Sequence, residues 1–182
     1  MQTNSVSIGG ELVTTRLAGR MEDTMQAFAV RAACFIGERD VPYSEEFDGQ
    51  DFGASHVVAC LGAEPIGALR IRWFQSFAMP ERLAVMQRFR GHHVGLLLLE
   101  RARTLAESRG CISLYTRVSP DEATYFEKHG WRRLDEQTRS ARPTVALVRP
   151  VDPALEIAEI ADKDALALSS QYRIFAAATA DG

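Results

Sequence analysis

The hydrophobic pattern is most distinct in the middle of the chain, between Glu81 and Arg109. A short apolar run at 83–86 is followed by a basic, glycine-containing turn at 87–95, and apolar residues at helical spacing begin at Leu96. This order predicts a strand, a turn and a helix. The first turn of a helix has unpaired backbone N–H groups and the positive end of the helix dipole, so the turn is predicted to bind an anion such as phosphate.

Periodicity predicts further elements on both sides of this segment. Strands are expected at Glu11–Leu17, His56–Leu61, Ile66–Phe74, Ile112–Val118, Trp131–Leu134 and Thr144–Val148, and helices at Asp23–Ile36, Pro120–His129 and Ala154–Ser170. The strand–helix–strand order from 83 to 118 places one parallel pair in a largely antiparallel sheet. A mixed α/β fold is therefore expected.

Composition narrows the class of protein. With 182 residues, 46% of them hydrophobic, the chain can bury the core of one compact domain. A net charge of −3 and a pI near 5.8 give no overall attraction to nucleic acid or to an anionic membrane. No segment has the ~18 apolar residues that span a bilayer, and the start lacks a signal-peptide pattern, so a soluble, cytoplasmic protein is expected. Three widely spaced cysteines predict buried free thiols, without disulfides or a metal site.

The basic turn has the residue types that an anion site needs. Arg88 and Arg90 add full charges beside the predicted helix start. Gly91 and Gly95 have no Cβ, which allows a ligand to approach the backbone and permits a positive φ. The same segment also has a simpler interpretation, an ordinary loop with solvated arginines.

Two segments carry a resemblance to a known family. Arg88–Gly95, with the sequence RFRGHHVG, resembles the acyl-CoA pyrophosphate loop of the GCN5-related N-acetyltransferases (GNAT): Arg88 and Gly91 match, and His93 stands where the family has a very small residue. Ala123–Trp131 resembles a later helix of that family. The two motifs have the family's order and spacing, and the resemblance covers roughly 12–148.

This resemblance implies an architecture. It is an α/β (α+β) fold with a mixed, mostly antiparallel twisted sheet that splays at a central parallel pair, with helices on both faces. Acyl-CoA would enter the split. The acyltransferase domain is expected at 1–150. A C-terminal helical extension of the same domain is expected at 151–182, with a disordered end; it would cover the sheet or the partner subunit of a homodimer.

The resemblance also implies roles for individual residues. Pantetheine is expected to pair with the backbone of β-strand residues, and pyrophosphate with the turn; these cofactor-binding residues are Leu83, Ala84, Val85, Arg88, Arg90, Gly91, His92, His93, Val94 and Gly95. Glu81 is the candidate base for the acceptor ammonium, directly or through water. Phe126 occupies the family's usual acid tyrosine position, so Tyr125 is the candidate acid. Successive helical side chains diverge by about 100°, so Tyr125 would need a rotated helix.

An acidic segment, Glu38–Asp51, is predicted to be a loop with a strong negative field. Glu46 and Asp48 are the candidate carboxylates that would bind a cationic acceptor. A wider residue set resembles that of acyl-homoserine lactone synthases: Arg31, Phe35, Glu46, Asp48, Asp51 and either Arg70 or Arg72. Arg31 and Phe35 are therefore added to the substrate-binding candidates. The segment equally resembles a branch of small acetyltransferases with V-P followed by E-x-D-G-x-D, and this second resemblance is favoured.

The favoured function is an N-acyltransferase that moves an acyl group, preferably acetyl, from acyl-CoA to a primary amine of a small molecule or peptide by direct attack in a ternary complex. Acetyl-CoA is then a co-substrate, and no metal is required. Two alternatives stay open. One is a homoserine-lactone synthase-like enzyme that uses S-adenosylmethionine and acyl carrier protein. The other is a non-catalytic acyl-CoA-binding domain, which His93 and Phe126 favour.

Overall fold

A computed structural model describes residues 5–134 and 143–154. The described strands are β1 Val6–Ile8, β2 Glu11–Leu17, β3 Ser55–Leu61, β4 Glu64–Trp73, β5 Phe77–Val85, β6 Ser113–Val118, β7 Arg132–Arg133 and β8 Val145–Pro150. The α-helices are α1 Met21–Arg31, α2 Tyr43–Glu46, α3 Val94–Ser108 and α4 Pro120–Glu127. A π-helical turn, Ala32–Gly37, continues α1, and two 3₁₀ turns lie at Gln50–Gly53 and Gln87–Phe89.

The chain divides into two compact units. The first contains Met1–Phe74 with Ala78–Leu105, and the second contains Gln75–Phe77 with Ala106–Gly182. The predicted domain bounds, 1–150 and 151–182, stay a prediction.

The first unit contains antiparallel strands β1 to β5. Each strand pairs with the next along the chain, in the order expected when short hairpins connect neighbours. Helix α1 covers this sheet because its apolar positions recur at helical spacing. Ala27 and Val30 lie with Cys34, Val58 and Ala68 in one buried cluster. The same helix also buries Arg31, a charged side chain that needs partners in the interior.

Strand β5 contains a β-bulge beside β4. Ala68 pairs with Ala84, and Arg70 pairs with Glu81, so β5 advances one residue more than β4 between these two positions. Arg82 lies in the bulge with φ 53°. In a regular strand Glu81 and Arg82 would point to opposite faces, and an inserted residue changes this alternation.

Helix α3 packs closely on β4 at Gly67. A Cβ at Gly67 would lie 3.1 Å from the side chains of both Val94 and Leu98 and 3.3 Å from the Ala84 carbonyl oxygen. The two contacting residues are four positions apart, on one face of the helix. A side chain at residue 67 would therefore displace the start of α3, and the missing Cβ determines how closely the helix approaches the strand.

The second unit contains β6, β7 and β8. Strand β8 pairs antiparallel with both of the other strands. Helix α4 begins with a capping box in which the side chains of Ser119 and Glu122 satisfy each other's backbone N–H groups. Phe126, on the buried side of α4, contacts Trp131 edge-on with ring centroids 5.4 Å apart.

The fold-class prediction, a mostly antiparallel mixed sheet with one parallel pair and helices, is confirmed. Strand β2 has the predicted bounds, and the three cysteines are free and buried as predicted. No helix among the described residues is long and apolar enough to cross a membrane. The predicted helix at Ala154–Ser170 lies almost wholly outside the described residues.

Several local predictions were wrong. The strand predicted from Leu83 begins at Phe77, since residues 77–80 are buried although Pro80 interrupts their pattern. The acidic segment contains a short helix, α2, after Pro42, instead of being only a loop. Helix α1 was predicted to continue to Ile36, but it becomes a π-helical turn at Ala32.

Candidate functional site

The segment Arg88–Gly95, called the cofactor loop below, ends at the N-terminus of α3. The first hydrogen bond of this helix runs from the Leu97 N–H to the His93 carbonyl, at 3.1 Å. The N–H groups of Val94, Gly95 and Leu96 therefore have no acceptor within the helix, and the positive end of its dipole lies at the same place. The loop residues before Val94 are exposed apart from Phe89, so an anion can approach.

Both arginines of the cofactor loop are already paired with carboxylates. Arg88 forms an ion pair with Glu64 and lies over the ring of Phe89. Arg90 forms an ion pair with Glu38 and donates a hydrogen bond from Nε to the Val85 carbonyl, at 3.0 Å. Arg88 is largely exposed, and exposed ion pairs are weak, so a pyrophosphate could replace Glu64 at low cost.

The loop backbone has two positions in the left-handed region. Gly91 has φ 84°, which glycine adopts readily, and a Cβ there would meet no atom within 4 Å. His93 has φ 61°, in the left-handed region. This conformation is energetically unfavourable for a residue with a side chain, although histidine tolerates it better than most residues do.

Eight charged side chains of the first unit form one connected group, called the charge cluster below. Its members come from α1, α2, the turn after α2, β4 and β5; they are Arg31, Glu46, Asp48, Asp51, Arg70, Arg72, Glu81 and Arg82. Four are arginines and four are carboxylates, so the formal charges cancel. The cluster contains every substrate-binding candidate except Phe35, and it also contains the candidate base.

The buried end of the cluster is centred on Arg31. Its Nε donates to Glu46 Oε1 at 2.6 Å, its Nη1 to Asp51 Oδ1 at 2.5 Å and its Nη2 to the Glu46 carbonyl at 3.0 Å. The side chains of Arg31 and Glu46 are both 0% exposed. The Arg31 guanidinium also lies beside the rings of Phe28 and Phe47, which exclude water from it.

Arg70 connects this end to the rest of the cluster. It donates from Nη1 and Nη2 to the two carboxylate oxygens of Asp48, at 2.7 and 2.9 Å, and from Nε to Glu81 at 3.0 Å. Burial raises the pKa of the Asp48 carboxyl, but the hydrogen bonds and charge of Arg70 outweigh burial and hold the pKa at about 2. Asp51 is affected in the same way: burial raises its pKa, and Arg31 and Arg70 lower it to a net value below the usual range.

His56 lies under the cluster as a buried neutral group. Burial lowers the pKa of His56, and the positive charges of Arg31 and Arg70 lower it further. The hydrogen bond with the Asp51 carbonyl acts in the opposite direction, but the net shift is downward. That hydrogen bond, 3.2 Å from Nε2, requires Nε2 to carry the proton. The Nδ1 atom then has no hydrogen-bond partner among the described residues.

Glu81, the candidate base, is held by two arginines. Arg70 and Arg72 donate their Nε–H groups to Oε1, at 3.0 and 2.5 Å, and Arg72 donates from Nη2 to Oε2 at 3.1 Å. Its side chain is 15% exposed. The geometry leaves lone pairs on Oε2 for a water or an amine, while Oε1 is fully used.

Arg82 is the functional candidate that sequence reasoning missed. Its Nη2 donates to the Glu45 carbonyl at 2.5 Å and lies 3.6 Å from Asp48, and its Nε lies 3.4 Å from Glu46 Oε2. The side chain reaches the same cluster as Glu81 because the bulge changes the alternation of β5. No glycine in the sequence marks this bulge, so the pattern of residues contained no signal for it.

Arginines from other elements reduce the negative field that was expected of the acidic segment. The carboxylates of Glu46, Asp48 and Asp51 are compensated by arginines from other elements, and Glu46 is inaccessible. Phe35 is also buried, with the guanidinium groups of Arg39 and Arg82 beside its ring. Among the four substrate-binding candidates, Asp48 alone has substantial exposure in this structure.

Tyr125 belongs to the second unit. Its side chain is partly exposed, and its ring contacts those of Phe126 and His129. Burial of the hydroxyl raises the pKa of Tyr125, so the phenol keeps its proton at neutral pH. Phe126 is buried against Trp131 and points away from solvent.

The comparisons with known proteins agree with the fold. The family model described as Acetyltransferase (GNAT) family matches residues 24–131. The uncharacterized N-acetyltransferase YjcF of Bacillus subtilis is 29% identical over 121 residues, which cover 66% of this chain and 86% of YjcF.

Solved structures share the fold at lower sequence identity. A protein from Lactobacillus plantarum assigned as an N-acetyltransferase has a TM-score of 0.72 and 23% identity, with 77% of this chain and 99% of that chain covered. An acyl-CoA N-acyltransferase from Pseudomonas aeruginosa has a TM-score of 0.66 and 20% identity, with 75% and 99% covered.

The fold and the matched segment define an acyltransferase of the class that uses acyl-CoA as co-substrate. The chain belongs to the GNAT acetyltransferase family. The predictions of the family and of a GNAT-type N-acetyltransferase enzyme are thereby confirmed.

Proposed function

We propose that the protein transfers an acyl group, preferably acetyl, from acyl-CoA to a primary amine by direct attack in a ternary complex. The observation that carries this proposal is the helix start at the cofactor loop, where three N–H groups have no partners in α3 and the residues just before them in the chain include Arg88 and Arg90. A pyrophosphate fits such a site because both the N–H groups and the helix dipole attract it.

The cofactor loop has enough donors for useful affinity. An anion at a helix N-terminus gains roughly 0.3–1 kcal/mol per charge when exposed and ~2 kcal/mol when partly buried. Several N–H groups and one displaced arginine pair are then consistent with roughly micromolar binding of acetyl-CoA. Pantetheine would pair with the backbone of Leu83, Ala84 and Val85, where the bulge leaves Leu83 without a partner in the register of β4.

Glu81 serves as the base in this proposal. The acceptor ammonium loses a proton to Glu81 through water, and the nitrogen lone pair then attacks the thioester carbon. The attacking nitrogen then loses its second proton to water, and the carbon–sulfur bond breaks as the tetrahedral intermediate collapses, with the electron pair leaving on sulfur. The Oε2 atom, which accepts a hydrogen bond from Arg72 alone, is the proton acceptor, and Arg70 and Arg72 fix the orientation of the carboxylate.

The leaving thiolate takes its proton from Tyr125 or from water. A thiol has a pKa of about 8.5, so the anion can leave without obligatory protonation. Two variants distinguish the sources: Tyr125→Phe tests the hydroxyl, and Phe126→Tyr restores the family's usual residue. A loss of less than tenfold in kcat for Tyr125→Phe, together with a gain for Phe126→Tyr, would identify Tyr125 as a packing residue; a larger loss would show that it donates the proton.

The direct test is CoA release from acetyl-CoA in the presence of a panel of primary amines. Glu81→Gln should lower kcat by ~10² to 10⁴ while binding of acetyl-CoA is kept, because it removes the base and leaves the cofactor loop intact. Glu22→Gln, an exposed carboxylate on α1, is the matched control and should behave as wild type. Release of CoA from Glu81→Gln at the wild-type rate would exclude Glu81 as the base.

A second candidate has one observation in its favour. Arg31, Glu46, Asp48, Asp51 and Arg70, which resemble the residue set of acyl-homoserine lactone synthases, do meet in one cluster. The two functions differ in their donors and acceptors. Acyl transfer from acyl carrier protein to S-adenosylmethionine, without activity on acetyl-CoA, would establish the second candidate.

The proposal includes a cytoplasmic location, no nucleic acid or membrane partner, and a homodimer. Size-exclusion chromatography with light scattering tests the dimer. A monomeric mass for the full chain would remove that part of the proposal.

A further inference from the structure

The charge cluster has a buried half and a half that reaches solvent. Four members are at most 9% exposed, namely Arg31, Glu46, Asp51 and Arg70. The other four are Asp48 at 31%, Arg82 at 26%, Arg72 at 16% and Glu81 at 15%. The surface of the cluster therefore presents two positive and two negative groups.

Arg82 is the least satisfied member of this surface. Its Nε and the Glu46 Oε2 atom are both buried and have no hydrogen-bond partner among the described residues, although they face each other at 3.4 Å. Its backbone has φ 53°, which costs of order 1–3 kcal/mol for a residue that is not glycine. Strained backbone conformations cluster at active sites and ligand clamps, and buried polar atoms without hydrogen-bond partners are few in native proteins.

The charge balance determines which acceptors gain from binding here. A net cation finds no excess negative charge, because the four carboxylates already face four arginines. A zwitterion, in contrast, places its ammonium near a carboxylate and its own carboxylate near an arginine. Glu81 and Arg82 are neighbours in the chain, so one partly exposed group of each sign is available on β5.

We infer that the acceptor is an amine with a nearby carboxylate, as in an amino acid, and that Arg82 binds this carboxylate. The inference rests on the proposed acetyl transfer and adds the acceptor class to it. The acceptor ammonium then lies toward Glu81, the candidate base. Arg82 is a specificity-determining residue in this arrangement, since its guanidinium binds the group that does not react.

The test compares acceptors that differ only at the carboxylate. Phenylalanine, phenylalaninamide and 2-phenylethylamine form one such series, and leucine, leucinamide and 3-methylbutylamine form another; CoA release gives KM and kcat for each. We expect KM for the amino acids to be at least about tenfold lower than for their amides and amines, because a charge-assisted hydrogen bond is lost in the latter. The effect should appear in KM more than in kcat.

Variants of Arg82 test whether this residue causes the preference for acceptors with a carboxylate. Arg82→Gln should remove the difference between acid and amide, and Arg82→Lys, which keeps the charge without the planar fork, should retain part of it. Arg20→Gln, an exposed arginine at the start of α1, is the control and should keep the full difference. Thermal melting of each variant shows whether it is folded. The comparison of acceptors with the wild-type protein does not depend on any variant.

Three results would overturn the inference. Equal KM values across the wild-type series would show that no carboxylate is recognised, while the proposed acetyl transfer would stand. An undiminished preference in a folded Arg82→Gln would place the recognition elsewhere. Failure of every amine to release CoA, in a protein that binds acetyl-CoA, would end the proposed function and the inference together.

Discussion

The cofactor loop and the charge cluster place charged groups in opposite environments. The loop is one continuous segment, largely exposed, and its binding groups are mainly backbone N–H groups whose direction follows from the start of α3. The cluster is assembled from five segments and is largely buried, and its groups are side chains that satisfy one another. Changes in the loop should therefore alter binding, and changes in the cluster should first alter stability.

The largest expected effect is on the buried end of the cluster. Arg31→Ala leaves Glu46 and Asp51 without their main donor in a site closed to water. Removal of one partner from a buried ion pair commonly costs ~3–5 kcal/mol, because an uncompensated charge stays inside. Urea denaturation of wild type and variant measures the change in the free energy of unfolding.

Arg20→Ala is the control for this prediction, since Arg20 is exposed and should change stability by less than about 0.5 kcal/mol. A loss below about 1 kcal/mol for Arg31→Ala would mean that the buried ion pairs contribute little. In that case the contrast between the two regions would not hold.

Lowering the pH should reduce the free energy of unfolding in two steps. The folded pKa of His56 is lowered, so the unfolded chain takes up its proton first and stability decreases as the pH falls through about 6.5. The folded pKa values of Asp48 and Asp51 are also lowered, so their contribution is complete above an unfolded pKa of about 3.9 and is lost as the pH falls toward 2.

The acid step of Asp48 should amount to ~1–2 kcal/mol, because its side chain is partly exposed and solvent screens the pair with Arg70. Melting temperatures between pH 8 and pH 2 measure both steps. Asp48→Asn should flatten the lower step relative to wild type. If the loss of stability between about pH 4 and pH 2 had the same size in this variant, other carboxylates would be its source.

The smallest effect is expected at His93 in the cofactor loop. His93→Gly removes a side chain at the position where the resembled family has a very small residue and the backbone would approach the pyrophosphate, so we expect acetyl-CoA to bind a few-fold more tightly. His92→Gly removes the neighbouring imidazole, which is not at positive φ, and should leave the affinity unchanged or slightly lower. Weaker binding by His93→Gly, measured by calorimetry, would show that the imidazole itself contacts the cofactor.

The loop was predictable because its chemistry is local. Arginines, Gly91 and an apolar helical stretch, all close in sequence, predicted a turn followed by a helix, and the structure has both. Anion binding at this turn stays a proposal. Helix α3 starts at Val94 instead of Leu96, a difference that arises because Gly95 has a low helix propensity and weakens the pattern at the first turn.

The charge cluster was only partly predictable because its charges balance through tertiary contacts. The alternation in β4 indicated that Arg70 and Arg72 share one face, and this face was expected to be polar. In the structure Arg70 is 1% exposed and is surrounded by carboxylates from two other segments. Arg82 was missed because a strand pattern assigns neighbouring residues to opposite faces, and the bulge removes that alternation.

Calorimetric titration of acetyl-CoA into wild type, Gly91→Val and Gly10→Val tests the central claim most directly. Gly91 and Gly10 have φ 84° and 87°, and a Cβ at either would meet no atom within 4 Å, so valine introduces a similar strain in both. We expect roughly micromolar affinity for wild type and Gly10→Val, and at least about tenfold weaker binding for Gly91→Val. Equal affinity in all three proteins would contradict the assignment of the cofactor loop.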